Sequence, residues 1–141
     1  LKFEFMPKQD EGKYALTAEL QNGTDLAKAE RIAKELEEII KIYPNKMIVT
    51  LGVEGSIYYD GAAVQKIPAI KAEVVDTTGA GDTFNGAFAY AVSKGKEMNV
   101  ALSFATIASH LSVQRFGAQG GMPSLKEIKE HPGYEEIWDF K

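Results

Sequence analysis

The segment "VVDTTGAGDTFNGAFAYAV", residues 74–92, places a glycine-rich turn directly before a stretch with helical spacing. Gly79 and Gly81 carry no Cβ, so a ligand can approach the backbone closely there. The first N–H groups of a helix have no partner within the helix, and the helix dipole adds positive potential at that end. The turn is therefore a candidate phosphate site. Two carboxylates, Asp76 and Asp82, flank it, and their negative charge needs a separate explanation.

Two common glycine-rich phosphate motifs do not match this turn. A P-loop ends in Gly-Lys-Ser/Thr, and the turn contains no lysine. A dinucleotide-binding fingerprint has a third glycine where this sequence has Phe84. A bare Gly-x-Gly is weak evidence, since many helices start at a glycine turn for steric reasons alone. Taken singly, Asp82 would be interpreted as a helix cap, and Asp76 as a strand-end residue that bonds its own turn.

The composition is that of an ordinary globular protein and argues against several functional classes. The 141 residues are 45% hydrophobic, the formal net charge is -4, and lysine and arginine are scattered, which disfavours a nucleic-acid-binding surface. No cysteine is present, which excludes disulfides and thiolate metal sites and is consistent with a reducing cytoplasm. No apolar run approaches membrane-spanning length, and the start "LKFEFMPKQ" does not resemble a signal peptide.

The elements that would position the turn alternate between helical and strand patterns, which predicts an α/β fold. An amphipathic helix follows Asn22-Gly23. "KMIVTLG" is a mostly apolar run, typical of a strand covered on both faces in a parallel sheet, and "SIYYDGAAVQKI" predicts a hairpin with a two-residue turn at Asp60-Gly61. Three helices follow: one to about Gly95, one from about Asn99 to Gln114, and a short one starting at a capping box near Ser124.

The whole string "DTTGAGDTFNGAFA" resembles, nearly letter for letter, the second signature of the ribokinase family of sugar kinases, also called the pfkB family. "IVTLGVEGSIYYDG" looks like the family's nucleotide-side strand and turn, and "SVQRFGAQGGMPS" is similar to the C-terminal segment of ribokinases. The likeness covers residues 1–141, which we expect to be the C-terminal nucleotide-binding and catalytic part of a complete member, without its N-terminal sugar-binding and lid half. The implied fold is three-layer and Rossmann-like, with helices flanking a central, largely parallel sheet.

The resemblance implies roles for the residues of the glycine turn. Asp82 corresponds to the family's catalytic base, a carboxylate that accepts the proton of the sugar hydroxyl as the γ-phosphoryl group arrives. The N–H groups of Gly79, Ala80 and Gly81 would form an anion hole that stabilises charge on the transferring group. One helix start would then hold both base and anion hole, which explains a carboxylate in a site built for anions.

The resemblance also implies a monovalent-cation site, usually for K+, beside the anion hole. Its predicted oxygen ligands come from two segments and belong to Asp76, Thr78, Ser112, Arg115 and Gly117, the last three through nearby carbonyls. Oxygen ligands of this kind suit a hard cation. Such a cation would add positive field behind the phosphate pocket.

For ATP, the resemblance points to a strand-end turn and to the helix that follows Asn99. The predicted nucleotide-binding residues are Thr50, Gly52, Glu54, Gly55 and Thr106, the last at the adenine pocket. Without the resemblance, the glycines would be interpreted as simply making a turn, and Thr106 as a polar residue on a helix face.

One segment departs from the family pattern. The family carries an Asn-x-x-Glu motif whose acid helps to organise Mg2+ through water; here Glu11 matches the acid, but Lys8 stands where asparagine is expected. A lysine there would contact phosphate as a point charge or indicate an altered magnesium arrangement. His110 and His131 alone are too few for a zinc site built on paired histidines, so we interpret His110 as a packing or surface histidine, and Trp138 as satellite packing.

The sequence therefore predicts a phosphotransferase that uses ATP to phosphorylate a sugar hydroxyl. "GAQGGMPS" favours D-ribose, phosphorylated at O5, with a fructokinase or another pfkB-family sugar kinase as the alternative. A second alternative is a nucleotide-binding fragment without turnover, because the sugar-holding residues are expected in the N-terminal half. A third, prompted by Lys8, is a pseudokinase adapted to binding. The expected partners are ATP and a small sugar, without nucleic acid or membrane, and the full-length protein is expected to be a cytoplasmic homodimer.

Overall fold

The computed structural model describes residues 46–138 together with Glu38. These residues divide between two compact units, one ending at Pro68 and the other beginning at Ala69. The amphipathic helix predicted after Asn22-Gly23 lies outside the described residues apart from Glu38, which is helical. Within this part of the chain, no helix combines the length and the apolar character needed to cross a membrane.

The first unit contains a three-stranded sheet in the order β1-β2-β3. β1 spans Met47–Thr50, β2 spans Ser56–Tyr59 and β3 spans Val64–Ile67. The central strand is buried along its whole length, whereas β3 is largely exposed. This difference follows from position, because the central strand is covered by neighbours on both sides and β3 stands at an edge.

The parallel pairing predicted for "KMIVTLG" is not found among the described strands, since β1 pairs antiparallel with β2, with Val49 opposite Ile57. The connection contains only a short 3-10 helix, Gly52–Glu54, and the Leu51 N–H donates to the Gly55 carbonyl at 2.7 Å. A parallel crossover needs a dozen or more residues, so this turn can only return the chain beside itself. Val49 is buried and the other three residues of β1 are half-buried, so the apolar composition of the run did not determine the direction of pairing.

The hairpin predicted for "SIYYDGAAVQKI" is confirmed, with β2 and β3 paired antiparallel and Tyr59 opposite Val64. Its turn comprises residues 60–63 and is therefore longer than the predicted two-residue turn. The Asp60 carboxylate accepts the N–H groups of Ala62 and Ala63, both at 2.8 Å. These bonds lower the pKa of Asp60, because they stabilise its charged form.

The second unit is helical over the described residues. Its helices are α1 (Ala80–Ser93), α2 (Met98–Ser112), α3 (Ala118–Gly121), α4 (Leu125–Glu130) and α5 (Pro132–Trp138). The three helices predicted from the sequence correspond to α1, α2 and α4. The capping box at Ser124 is confirmed, with reciprocal bonds to Glu127. The short α3 and the C-terminal α5 were not predicted.

The core of this unit lies where α1 and α2 pack along each other and meet α4 and α5. Its buried members are Ala91, Ala101, Phe104, Ile107, Ala108, Ile128 and Tyr134. Small side chains such as Ala91, which is fully buried, allow the two long helices to approach closely. The centroid of the Trp138 ring lies 4.8 Å from that of Phe104, a contact between α5 and α2, and 5.5 Å from that of Tyr134 within α5. Trp138 thus belongs to the periphery of this core, as its sequence position indicated.

Candidate functional site

The glycine turn forms the N-terminus of α1, as the sequence predicted. Gly79 is the N-cap residue in the left-handed conformation, with φ 77° and no side-chain cap. A Cβ on Gly79 would lie 2.9 Å from the Ala118 Cβ, a distance that real Cβ atoms do not show. Glycine is therefore required here twice over, by backbone conformation and by contact with the start of α3.

Backbone N–H groups at this helix start are available to an anion. The Ala80 N–H donates to the Thr77 carbonyl at 3.2 Å. Among the described residues, the N–H groups of Gly79, Gly81 and Asp82 meet no acceptor. Two of the three predicted anion-hole donors are thus open, Ala80 is engaged in the turn, and Asp82 supplies a further open N–H.

The side chains of this first turn leave the space in front of it clear. A Cβ added to Gly81 would have no atom within 4 Å. The Asp82 side chain is exposed, and no other group of the described residues bonds or pairs with its carboxylate. The helix cap is Gly79 and uses no side chain, so the interpretation of Asp82 as a capping acid does not match the structure. A carboxylate beside open N–H donors is an arrangement suited to accepting a proton next to a bound phosphoryl group.

An apolar cleft of about 250 Å³ begins at Asp82 and runs along α1. Its walls come from α1, α2, α4 and the segment before α4, and they are Asp82, Thr83, Gly86, Ala87, Tyr90, Phe104, Ala108, Met122, Pro123, Leu125 and Ile128. The Thr83 hydroxyl is buried and has no hydrogen-bond partner among the described residues. The Asp82 carboxylate therefore lies at the end of the cleft where the helix begins, while Tyr90 lines the cleft farther along α1.

The Asp76 carboxylate joins two segments that are far apart in the sequence. Its Oδ1 accepts the Thr78 hydroxyl at 2.6 Å and the Thr78 N–H at 2.9 Å, while Oδ2 accepts the Gly117 N–H at 2.9 Å. These bonds, the one from the Thr78 hydroxyl first, lower the pKa of Asp76. Gly117 has φ 84°, which favours glycine at this position. The structure thus brings together Asp76, Thr78 and Gly117, three of the predicted cation-site residues.

The other two predicted cation-site residues lie at the end of α2, which is Ser112, and on the connection between α2 and α3, which contains Arg115. The Ser112 carbonyl accepts the Arg115 N–H at 3.4 Å, and the Ser112 hydroxyl donates to the Ser109 carbonyl. A Cβ at Gly121 would lie 2.7 Å from the Ser112 carbonyl oxygen, so only glycine fits against that oxygen. Arg115 directs its guanidinium to Glu127. The Gly117 carbonyl accepts the Gly121 N–H at 2.7 Å, so the carbonyls of Ser112 and Gly117 each already accept one hydrogen bond.

The predicted nucleotide residues are divided between the two units. Thr50, Gly52, Glu54 and Gly55 lie in the first unit, at the end of β1 and in the turn that follows. Gly52 and Gly55 have φ of 59° and 95°, so turn geometry alone accounts for glycine at both. The Glu54 carboxylate pairs with Lys66 at 3.3 Å.

Thr106 lies on α2, and its hydroxyl bonds within that helix. The Thr106 hydroxyl donates to the Leu102 carbonyl at 2.9 Å within α2, and Thr106 does not line the cleft. This is the ordinary behaviour of threonine on a helix face. Lys8 and Glu11 lie outside the described residues. The role of each therefore stays a prediction.

The two histidines meet in the fold, with ring centroids 5.3 Å apart. His131 Nδ1 accepts the Gly133 N–H at 3.1 Å, which uses the lone pair of the neutral ring and leaves none for a metal. Within the described residues, no group of three or more potential metal ligands exists. Both rings make packing and hydrogen-bond contacts here, and for His110 this agrees with the interpretation from sequence.

Sequence reasoning missed three residues that shape the site. Ala118 contacts Gly79, Gly121 covers the Ser112 carbonyl, and Glu127 binds Arg115. The glycine run in "GAQGG" was a usable signal for close backbone contact, and the capping box identified Glu127 as a cap. Nothing local in the sequence indicated which distant groups they would contact.

Comparison with known proteins gives a family match over most of the chain. The family described as pfkB family carbohydrate kinase matches residues 10–125. A ribokinase from Lactococcus lactis subsp. lactis is 63% identical over 94 residues, which is 67% of this chain and 31% of that protein. The chain spans about a third of the length of these curated ribokinase relatives.

Solved structures agree with this match. The chain resembles a Cryptococcus neoformans ribokinase in complex with ADP, with TM-score 0.67 and 33% identity, over 77% of this chain and 37% of that one. It also resembles an Arabidopsis thaliana ribokinase complexed with ribose and ATP, with TM-score 0.63 and 36% identity, over 79% of this chain and 35% of that one. The helices and small sheet described above are thus part of the Rossmann-like α/β fold of these enzymes.

Proposed function

The chain belongs to the pfkB family of carbohydrate kinases, and on that premise we propose that the intact protein transfers the γ-phosphoryl group of ATP to a sugar hydroxyl. The favoured acceptor is O5 of D-ribose, supported by the similarity to ribokinases and by the segment "GAQGGMPS". The observation that carries the proposal is the start of α1, where the unpartnered Asp82 carboxylate stands beside N–H groups that have no acceptor in the described chain.

In the proposed reaction, the sugar hydroxyl loses its proton to Asp82 as its oxygen forms a bond to the γ-phosphorus. The bond between that phosphorus and the β,γ-bridging oxygen breaks, and ADP leaves with the bond's electron pair. The N–H groups of Gly79 and Gly81 stabilise negative charge on the transferring group. Ala80 contributes only if its N–H exchanges the 3.2 Å bond to the Thr77 carbonyl for a phosphate oxygen.

We extend the proposal to a monovalent cation, K+, held by Asp76, Thr78 and the carbonyls of Ser112, Arg115 and Gly117. The donor set fits a hard cation, because it offers oxygen ligands and one net negative charge. Asp76 accepts three hydrogen bonds, and an ionised carboxylate has about four lone-pair positions, so one remains. When bound, the cation would add positive field behind the anion hole. Mg2+ would accompany the ATP phosphates, with Glu11 acting through water.

Asp82→Asn in the intact protein tests the role of the base. An amide cannot accept the hydroxyl proton, so the rate of ADP formation with ATP and D-ribose should fall about 10²- to 10⁴-fold. Binding of a non-hydrolysable ATP analogue, measured by titration calorimetry, should change little. Glu97→Gln is the matched control, since Glu97 is an exposed acid at the start of α2 that makes no side-chain cap. An unchanged rate in Asp82→Asn would remove Asp82 from the role of base.

The same assay separates the alternatives. A higher kcat/KM with D-fructose than with D-ribose would favour a fructokinase. The limited overlap with longer relatives favours a second candidate, in which the 141 residues alone bind nucleotide without turnover. Titration of this chain with Mg-ADP, with and without K+, should then show binding while ribose elicits no ADP release. Sedimentation of the intact protein tests the expected homodimer.

A further inference from the structure

The Glu127 carboxylate joins the start of α4 to the loop of residues 113–117, which follows α2. Its Oε2 accepts the Ser124 N–H at 2.7 Å and the Ser124 hydroxyl at 2.8 Å, and its Oε1 accepts from the Arg115 guanidinium. The bond from Arg115, followed by those from Ser124, lowers the pKa of Glu127 to about 2. The carboxylate is therefore ionised throughout the neutral range, and it serves two structural elements at once.

The loop held by Arg115 touches the candidate phosphate site at several points. The Val113 carbonyl accepts the Asp76 N–H at 3.2 Å, and the Gly117 N–H donates to the Asp76 carboxylate at 2.9 Å. The residue after the loop, Ala118, lies directly against Gly79 at the start of α1. Any displacement of the loop would therefore move the groups that hold Asp76 and support the helix start.

We propose that Glu127 is a positioning residue that acts through Arg115: it keeps the 113–117 loop in place behind Asp76 and Gly79. The effect of Glu127 on catalysis rests on the proposed function, in which Asp76 belongs to a cation site and Gly79 to an anion hole. Glu127 itself lies outside both predicted sets of binding residues. Its effect should appear in cation affinity before it appears in the maximal rate.

A second ion pair, within α4, provides a comparison for the exposure of the Arg115–Glu127 pair. Lys126 and Glu130 lie at i and i+4, 3.7 Å apart, with side-chain exposures of 83% and 64%. The Arg115–Glu127 pair is less exposed, at 43% and 35%, and it links two elements rather than two turns of one helix. Isolated exposed pairs contribute little to stability. A local effect on the loop, without a large change in global stability, is therefore expected.

The experiment compares Glu127→Gln with Glu130→Gln in the intact protein. Both variants remove one carboxylate charge from α4, but only the first weakens the link to Arg115. In Glu127→Gln, amide hydrogen exchange across residues 113–118 should accelerate by about fivefold, the upper range for one exposed ion pair. The K+ concentration that half-activates ADP formation should rise by a similar factor, with the rate at saturating K+ within about twofold of the wild type. Glu130→Gln should match the wild type in both measurements.

Ser124→Ala separates positioning from helix capping. It removes the cap hydroxyl but leaves the Arg115–Glu127 pair, so it should lower Tm without changing loop exchange. Loop exchange as fast in Ser124→Ala as in Glu127→Gln, or equal exchange in the two glutamine variants, would overturn the positioning role. Faster exchange with unchanged K+ activation would overturn its link to catalysis. If the wild type forms no ADP, the proposed function fails, and the exchange data still decide whether Glu127 positions the loop.

Discussion

Replacing Gly81 by alanine should affect the stability of the fold and the affinity for nucleotide in opposite directions. Gly81 lies in the first turn of α1 outside the positive-φ conformation, and a Cβ added there would have no atom within 4 Å. Glycine inside a helix costs about 0.5–1 kcal/mol relative to alanine. The described structure therefore gives no packing reason for glycine, and Gly81→Ala should raise the free energy of unfolding by up to about 1 kcal/mol.

A Cβ in a helix is tilted toward the helix N-terminus, so the added methyl group would crowd the end of α1 that a phosphate must approach. Preventing one hydrogen bond to a charged group costs about 1.5–3 kcal/mol, which corresponds to about a 10- to 150-fold weaker Kd. Gly81→Ala should thus make the protein more stable and at the same time a poorer binder of nucleotide. Improved stability with impaired binding is a combination that general damage to the fold cannot produce.

Calorimetry on the intact protein measures both quantities. Scanning calorimetry reports stability, and titration with the magnesium salt of a non-hydrolysable ATP analogue reports affinity. Gly120→Ala is the control: Gly120 is exposed, lies in α3 outside the walls of the cleft, has no positive φ, and a Cβ there also meets nothing within 4 Å. The control should gain similar stability and keep the wild-type Kd. If Gly81→Ala binds the analogue as tightly as this control, the helix start does not hold the phosphates and our argument is wrong.

Two further predictions concern stability. Gly79→Ala should lower the free energy of unfolding, measured in urea, by at least about 1–2 kcal/mol. Alanine disfavours φ 77°, and its Cβ would lie 2.9 Å from that of Ala118. A variant as stable as the wild type would contradict the observed contact. Burial, and then the nearby His110, lowers the pKa of His131 below 6.5, so the unfolded chain binds more protons below that pH. The contribution of His131 to the free energy of unfolding should be fully present above pH 6.5 and should decrease as the pH falls below that value. His131→Asn keeps an acceptor for the Gly133 N–H and should make this decrease less steep. An equally steep decrease in the variant would exclude His131 as its source.

Much of the local structure could be predicted because it depends on residues close together in the chain. The helix start at Gly79, the capping box at Ser124 and the hairpin around Asp60 each follow from side chains or backbone preferences within about four residues. The structure confirms all three. The direction of strand pairing at β1 was not predictable from burial, because the short turn after Thr50 determines it and the apolar run does not.

The amino-acid sequence by itself determined the family, the helix start and the identity of the residues available for chemistry, since these are contiguous or local properties. Only the tertiary structure decided which distant groups meet. It placed the Gly117 N–H on Asp76, Arg115 on Glu127, and the two histidines face to edge. Such contacts depend on how whole helices pack, and packing is set by the summed burial of many side chains rather than by any single motif. The arrangement behind the candidate phosphate site is therefore a property of the fold.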